Sequence, residues 1–403
     1  MELFWLEHKK LWRKKIVKIC VLLCFVYCVI FGSILSFQWF CFGSSDDYTS
    51  AFGNNFDGYT VIKDSQEYAL SFGGELTDET LQQIVSDYQQ MEADGMQKEL
   101  EKTDWQIVNS WLGTLYPELR DTSNYKTMIS YVDPDKLTGF YERRQQVLDE
   151  FLEVSGQVGA EKEFLHQIER KVEKPFHYEW VEGWSTLLGS TVADLGVVMA
   201  LFLGIVLSSL FAGEWHDNTS TLVLTTRNGW GKIALAKILT GLAFTVELFA
   251  LLAVSNVISQ LFFMGTAGWD MPIQNIKLIA VAPMNMLQAE IYEYAFVLLG
   301  AIGFAGIVMF ISAAVKNNVL TLLLSLAVVY GPMMIAEYLP YGMQKALDLI
   351  PMVGSSTDIF RTNTFRIWGK LIWSPYLLIT IPVLIGILCM PFAIKSWSRR
   401  MKA

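Results

Sequence analysis

The sequence predicts an all-α polytopic membrane protein. Six transmembrane helices are expected, with both termini in the cytoplasm and a mainly helical extracellular domain inserted between helices 1 and 2. Three observations carry this reading. Hydrophobic residues make up 52% of the 403, and charged residues only 18%. Six separate runs are free of charge or nearly so, each reaching the ~20 residues that cross a ~30 Å hydrocarbon layer as a helix. One stretch, residues 42–184, is acidic, with 28 Asp+Glu against 12 Lys+Arg (net −16), while the remainder has 19 Lys+Arg against 12 Asp+Glu (net +7). Two environments therefore share one chain.

The elements follow in chain order. Residues 1–15 hold Lys9, Lys10, Arg13, Lys14 and Lys15 and are expected to form a basic amphipathic helix on the cytoplasmic face. The first span covers 16–38, inside the charge-free run Ile19–Ser45. Its exit reads Phe37-Gln38-Trp39-Phe40-Cys41, which offers no small-x-small cleavage site, so the segment reads as an uncleaved anchor. After the polar insert, residues 186–395 hold five more spans. Between Glu182 and Glu214 the one charge is Asp194, and between Lys237 and Asp270 it is Glu247. Tyr294–Val315, Asn317–Ala336 and Leu371–Ile394 carry none.

Orientation follows from the basic residues beside the spans. The N-terminal segment, Lys316 between spans four and five, and the tail 396–403 with Arg399, Arg400 and Lys402 all fall inside when six spans are threaded. Lys345, Arg361, Arg366 and Lys370 fall in a predicted outer segment and run against the trend. Tryptophans at span ends (Trp39, Trp180, Trp184, Trp215, Trp230, Trp269, Trp368, Trp373 and Trp397) read as an interfacial belt, with Trp105 and Trp111 elsewhere.

Within the insert, Thr77 is the expected N-cap of a helix, with Leu76 and Leu81 spaced as a hydrophobic staple and Ile84, Val85, Tyr88 and Met91 extending the apolar face. Asp104 is expected to cap a second helix that turns Ile107, Val108, Trp111, Leu112 and Leu115 inward. Asp133-Pro134 is expected to open a third, carrying Leu137, Phe140, Tyr141, Val147, Leu148, Phe151 and Leu152. A fourth is expected over roughly 159–173. Tyr59–Phe72 reads as two short strands.

Several chemistries lack their motifs. The nearest approach to a phosphate-cradling loop, Asn228-Gly229-Trp230-Gly231-Lys232, has the wrong spacing, and neither Gly-x-Ser-x-Gly nor His-Glu-x-x-His occurs. No catalytic or metal site is expected, and the net charge of −9 argues against a nucleic-acid partner. Cys20, Cys24 and Cys28 share one face of the first span, where thiols pack as small apolar groups, although thiolates can also ligate metal.

The candidate functional residues are of three kinds. Asp194 and Glu247 lie inside spans, where a carboxylate normally faces a bundle interior or a wet path; they line a translocation path or make a structural bond between helices. Glu290, Glu293 and Glu337 read as interfacial, at outer span ends. Gly196, Ala200, Gly204 and Ser208, and Gly300, Gly303 and Gly306, form small-residue faces for helix packing, which also suit a moving dimer interface. The link 213–232 between the second and third spans is long, polar, then briefly apolar, then basic, which suits a short surface helix exposed to a cytosolic partner.

Along that link, Glu214, Thr219, Thr221, Leu222, Leu224, Arg227, Lys232 and Lys237 resemble the order found in permease subunits of ABC type-2 transporters. There a Glu at the inner end of the second span is followed by a Thr-rich turn, a Leu-x-Leu run, an Arg, and a Lys entering the third span. A proline frequent near Thr225 or Thr226 in that family is missing here. The basic N-terminal helix, six spans and a re-entrant-like segment, matched here by 340–372, agree with the family over residues 1–40 and 185–403. A large outer domain after the first span resembles the subset found among sodium- and peptide-exporter-like groups of Gram-positive bacteria.

The resemblance implies a multi-pass subunit of a bacterial plasma membrane that exports a peptide, drug, lipid or ion. It implies two copies of a cytosolic ATPase, which hold ATP and Mg, and a second permease, identical or sibling; this chain itself holds no cofactor. The link would act as a coupling helix. Four other readings compete. They are an ABC class with four spans around an outer domain, an ion-coupled secondary transporter using Asp194 and Glu247, a sensor whose outer domain binds a peptide, and a membrane enzyme.

Overall fold

The computed structural model describes residues 2–30, 66, 73–96, 105–188, 192–216, 231–354 and 363–399. The chain opens with α1 (Glu2–Arg13) and α2 (Lys15–Val29). They meet at Lys14, whose extended backbone breaks the helix. In α2, Val17, Cys20, Cys24 and Cys28 are buried and Ile16, Ile19, Leu22, Leu23 and Val26 are exposed. The cysteine stripe thus joins the main apolar core, as free thiols. The rest of the expected first span lies outside the described residues.

The insert contributes β1 (Gly74–Leu76), α3 (Asp78–Ala93), α4 (Trp105–Leu115), α5 (Phe140–Val154), α6 (Ala160–Glu169) and β2 (Phe176–Tyr178). The two strands pair antiparallel, Glu75 opposite His177. Thr77 caps α3, accepting from the Thr80 amide, and Leu76 and Leu81 are both fully buried as the staple requires. The third expected helix starts later than its sequence signal. Asp133-Pro134 opens only a single 3-10 turn, Pro134–Lys136. The helix proper begins at Phe140, after Gly139 in the left-handed region (φ 72°), a conformation that interrupts a helix. Its cap comes from a distant element: the Asp78 carboxylate accepts from the Gly139 amide (2.7 Å) and the Phe140 amide (3.0 Å). The expected cap Asp104 and the expected strands over Tyr59–Phe72 lie outside the described residues, apart from Gln66.

Beyond α7 (Glu182–Thr186) come α8 (Val192–His216), α9 (Lys232–Met264), α10 (Met286–Ala314), α11 (Asn318–Ile335), α12 (Tyr341–Leu347), the strands β3 (Thr364–Ile367) and β4 (Lys370–Trp373), and α13 (Ser374–Arg399). Among the described residues, five helices, α8, α9, α10, α11 and α13, are long and apolar enough to cross a membrane. The chain is therefore a mostly helical, membrane-associated protein. These five match the second to sixth spans read from the sequence.

Helix α10 is the axis of the bundle, packed on α8, α9, α11 and α13. Its small face sets the distance to α13: a Cβ on Gly303 would strike the Pro382 carbonyl, and one on Gly306 the Gly386 carbonyl. Such close approach replaces the hydrophobic drive that lipid cannot supply between helices. Gly300 faces Met352, Gly196 faces Met352 and Val297, and Gly204 faces Leu322 and Leu326. Ala200 and Ser208 are buried, and the Ser208 carbonyl accepts from the Ser312 hydroxyl (2.7 Å). Both small-residue faces are thus engaged within this chain.

The insert is fastened to the bundle through two loops. The first is 265–285, between α9 and α10. Arg144, fully buried, donates to the Leu278 carbonyl (2.7 Å), the Ala280 carbonyl (3.1 Å) and Glu169 (2.6 Å). Trp111 donates to the Asn275 carbonyl (2.9 Å), and Asn275 to the His177 carbonyl (2.6 Å). The second is the segment expected to be re-entrant-like. It contains the short helix α12 and then an antiparallel hairpin with a two-residue turn at Trp368-Gly369, both at positive φ, as the twist of a tight hairpin demands. Thr364 reaches Gln157 of the insert (2.9 Å), and Arg366 reaches Glu161 (3.3 Å). The tryptophan belt needs a correction. Trp180 and Trp184 are buried in protein, where their indole N–H groups donate to the Met264 (3.0 Å) and Thr266 (3.3 Å) carbonyls, and Trp397 is fully buried as well. For these two indoles the acceptors are carbonyls at and just beyond the end of α9.

Candidate functional site

At the end of the bundle opposite the insert, α1 lies along α9. Three elements meet here: the last turn of α8, the first turns of α9, and α1. Lys237 lies in the second turn of α9, and its ammonium is almost completely buried. It donates to Glu214 (2.8 Å) and to Glu7 (2.8 Å). Glu214, also buried, accepts in addition from Lys10 (2.6 Å). The order Glu7–Lys237–Glu214–Lys10 is a chain of alternating charges, so no charge in it stands alone. Lys14 donates to Ser209 on α8 (2.9 Å). Burying an ion pair is expensive, and the network is stable because each group is met by opposite charge at hydrogen-bonding distance.

This network closes the two stems of the link. Glu214 lies in the last turn of α8 and Lys237 in the second turn of α9, so the pair pins the chain before and after the residues that connect them. Nearby, Lys316 sits over the ring of Trp215 (4.4 Å), which meets Trp397 edge to face (6.2 Å between centroids). The linker between α10 and α11 and the end of α13 therefore converge on the same stem. Lys232 is the first residue of α9 and is exposed. Thr219, Thr221, Leu222, Leu224 and Arg227 lie outside the described residues, as does the side chain of Asp194 in the first turn of α8.

Glu247 is at the middle of α9, but it does not face the bundle interior. Its side chain is 43% exposed and accepts from the Trp12 indole (3.0 Å), with His8 at 3.2 Å. The partners of Glu247 are thus on α1, and the amphipathic helix touches α9 at both Lys237 and Glu247.

Glu290 and Glu293 require a correction. They are not interfacial: Glu290 is 4% and Glu293 0% exposed, in the first turns of α10 at the insert end of the bundle. The loop 265–285 and the insert cover that end, which turns a span terminus into protein interior. For Glu337 the side chain lies outside the described residues.

Sequence reasoning paired Glu214 and Lys237 with a motif but not with each other, and it missed Glu7 and Lys10. Glu7 and Lys10 stand three apart on one face of α1, a signal of a charged stripe that needs a partner. Comparisons with protein-family models, with curated proteins and with solved structures give no match for this chain.

Proposed function

We propose that this chain is the membrane-spanning permease subunit of an ATP-driven exporter of the ABC type-2 kind. The observation that carries the proposal is the buried network Glu7–Lys237–Glu214–Lys10. A coupling segment must pass force from a cytosolic partner into the spans, and that requires rigid stems. Here both stems are locked to each other and to an amphipathic helix, so displacement of residues 217–230 would move α1, α8 and α9 together. In this reading the insert is extracellular, α2 begins a sixth span, and α1 lies on the cytoplasmic face. Two ATPase subunits hold ATP and Mg, and a second permease completes the transporter. Closure of the ATPases is the biased two-state element that the spans follow.

The test is purification of the full chain from its native membrane in mild detergent, with identification of what co-purifies and an ATPase assay. Recovery of a soluble ATPase in stoichiometric amount is expected. Charge reversal at Arg227, or deletion of 219–226, should leave membrane insertion intact and abolish transport-linked ATP hydrolysis. Recovery of the chain alone under conditions that hold complexes together, or unaltered transport by the deletion variant, overturns the proposal.

A further inference from the structure

The insert end of the bundle contains a second charged cluster, unrelated to the link. Helices α9 and α10 run antiparallel there, and their register is fixed by one bond: the Asn256 side-chain amide donates to the Tyr294 hydroxyl (2.8 Å). One turn further toward the insert, that register sets Gln260 of α9 opposite Glu290 of α10. Glu293 lies three residues on from Glu290, on the neighbouring face, near enough for the two carboxyl groups to interact. Tyr294, one turn from Glu290, interacts with it as well.

Glu293, Asn256 and Gln260 are fully buried, and Glu290 nearly so. Their hydrogen-bonding capacity is largely unused. Among the described residues both carboxylate oxygens of Glu293, Oδ1 of Asn256, and Oε1 and Nε2 of Gln260 have no partner, and the Glu290 carboxyl is met only by the Tyr294 hydroxyl. Apart from Glu290, that is four acceptor oxygens against a single orphan donor. Buried polar groups are almost always satisfied, and an intramembrane carboxylate is normally paired or placed on an ion route. The cation nearest in effect is Lys277, exposed on the 265–285 loop; it interacts with Glu293 through space, but neither carboxylate accepts a hydrogen bond from it. A thiol, Cys28 of α2, lies beside Tyr294 and interacts with Ser255.

The donor set fits one chemistry. Carboxylate, amide and phenol oxygens are hard ligands, which favour calcium- or magnesium-class ions over transition metals. Two carboxylates match the charge of a divalent ion, while a monovalent ion would leave one negative charge buried. Six side-chain oxygens lie within the range of six to eight that calcium uses. We infer that Glu290 and Glu293, with Asn256 and Gln260, form an occluded site for a hard divalent cation where the insert meets the bundle. The inference is independent of the exporter proposal, and its test involves no ATPase.

The experiment uses the full chain in detergent, stripped with chelator and held at constant ionic strength in choline chloride. Thermal unfolding is followed by tryptophan fluorescence with added calcium, magnesium, sodium or potassium chloride. Calcium or magnesium should raise the wild-type Tm by about 3 °C or more. Glu290→Gln and Glu293→Gln should lose that shift, while Asp121→Asn, an exposed acid of the insert, should keep it. Because a variant in the bundle can fail to fold, the milder Gln260→Met is included. It keeps both carboxylates and should weaken radiolabelled calcium binding about tenfold. Equilibrium dialysis should count one tightly held ion per wild-type chain. Three results overturn the inference: no divalent response in wild type, a response to sodium or potassium alone, or a divalent response retained by the Glu290→Gln/Glu293→Gln double variant.

Discussion

The two ends of the helix bundle treat buried charge in opposite ways. At the link end, Glu214 and Lys237 are both buried, and each meets opposite charge at 2.8 Å or less. At the insert end, Glu290 and Glu293 are just as deeply buried, and among the described residues no cation contacts either: Glu290 meets only the Tyr294 hydroxyl, and Glu293 accepts no hydrogen bond. A self-neutralised cluster ties elements together and needs nothing from outside. On the inferred cation site, the second cluster is complete only when a divalent ion enters. Substitutions should therefore change stability in opposite directions at the two ends.

The largest effect is expected at Lys237. Lys237→Met leaves the carboxylates of Glu7 and Glu214 facing each other without the ammonium between them. Removing one member of a buried pair typically costs about 3–5 kcal/mol. The expected result is a steep fall in Tm, with α1 released and more readily proteolysed. Glu214→Gln added to Lys237→Met should recover part of the loss. If the single variant melts like wild type, the network is not a rigid stem.

The insert offers a control, because its own buried pair is fully satisfied. Burial pushes the Glu169 carboxyl up, but hydrogen bonds and charge from Lys174 and Arg144 outweigh it and hold the group below the ordinary glutamate range. A depressed folded-state pKa contributes stability above the unfolded value of about 4.3, and that contribution is lost as pH falls through the folded value. Protection of the amides around 278–280, relative to their intrinsic exchange rates, should therefore fall as pH drops through the lowered folded value of Glu169. Arg144→Met should produce the same release at neutral pH, at about 3 kcal/mol. Exchange at 278–280 that ignores both changes would mean that Arg144 does not fasten the insert to the loop.

The opposite sign is expected at the insert end of the bundle. In chelator and choline, Glu290→Gln/Glu293→Gln removes two buried carboxyl groups that no cation contacts, so the double variant should be more stable than wild type, by about 1–3 kcal/mol. Adding calcium should reverse the order. A double variant less stable than wild type in both conditions would make the carboxylates ordinary structural groups.

Much of this was legible in the sequence, for physical reasons. Long apolar runs and the Thr77 cap depend on neighbours within a few residues, so the five spanning helices and α3 fall where the pattern puts them. The start of α5 was misplaced because its cap, Asp78, comes from another helix, and local Asp-Pro chemistry gave only one 3-10 turn. Glu7 and Lys237 are 230 residues apart, so no spacing rule joins them. The buried state of Glu290 was hidden because the loop and insert that cover it come from elsewhere in the chain. One signal was available: Asn256 and Gln260, four apart on an apolar helix, mark a polar face that needs a partner.

The smallest effect is expected at Glu247, and it bears on which end of the molecule α1 serves. Glu247 holds Trp12 and His8 of α1, but its side chain is 43% exposed, so the bond is only partly shielded. A single hydrogen bond in that setting contributes about 1 kcal/mol. Trp12→Phe keeps the ring packing against Phe244 and removes only the donor. Its Tm should fall slightly, and Glu247→Gln, which retains an acceptor, should fall less. If Glu247 instead lined a translocation path, Glu247→Gln would alter transport strongly while Trp12→Phe would not. Equal and small effects of the two variants on transport would assign Glu247 to anchoring α1, leaving Lys237 as the residue through which α1 senses the link.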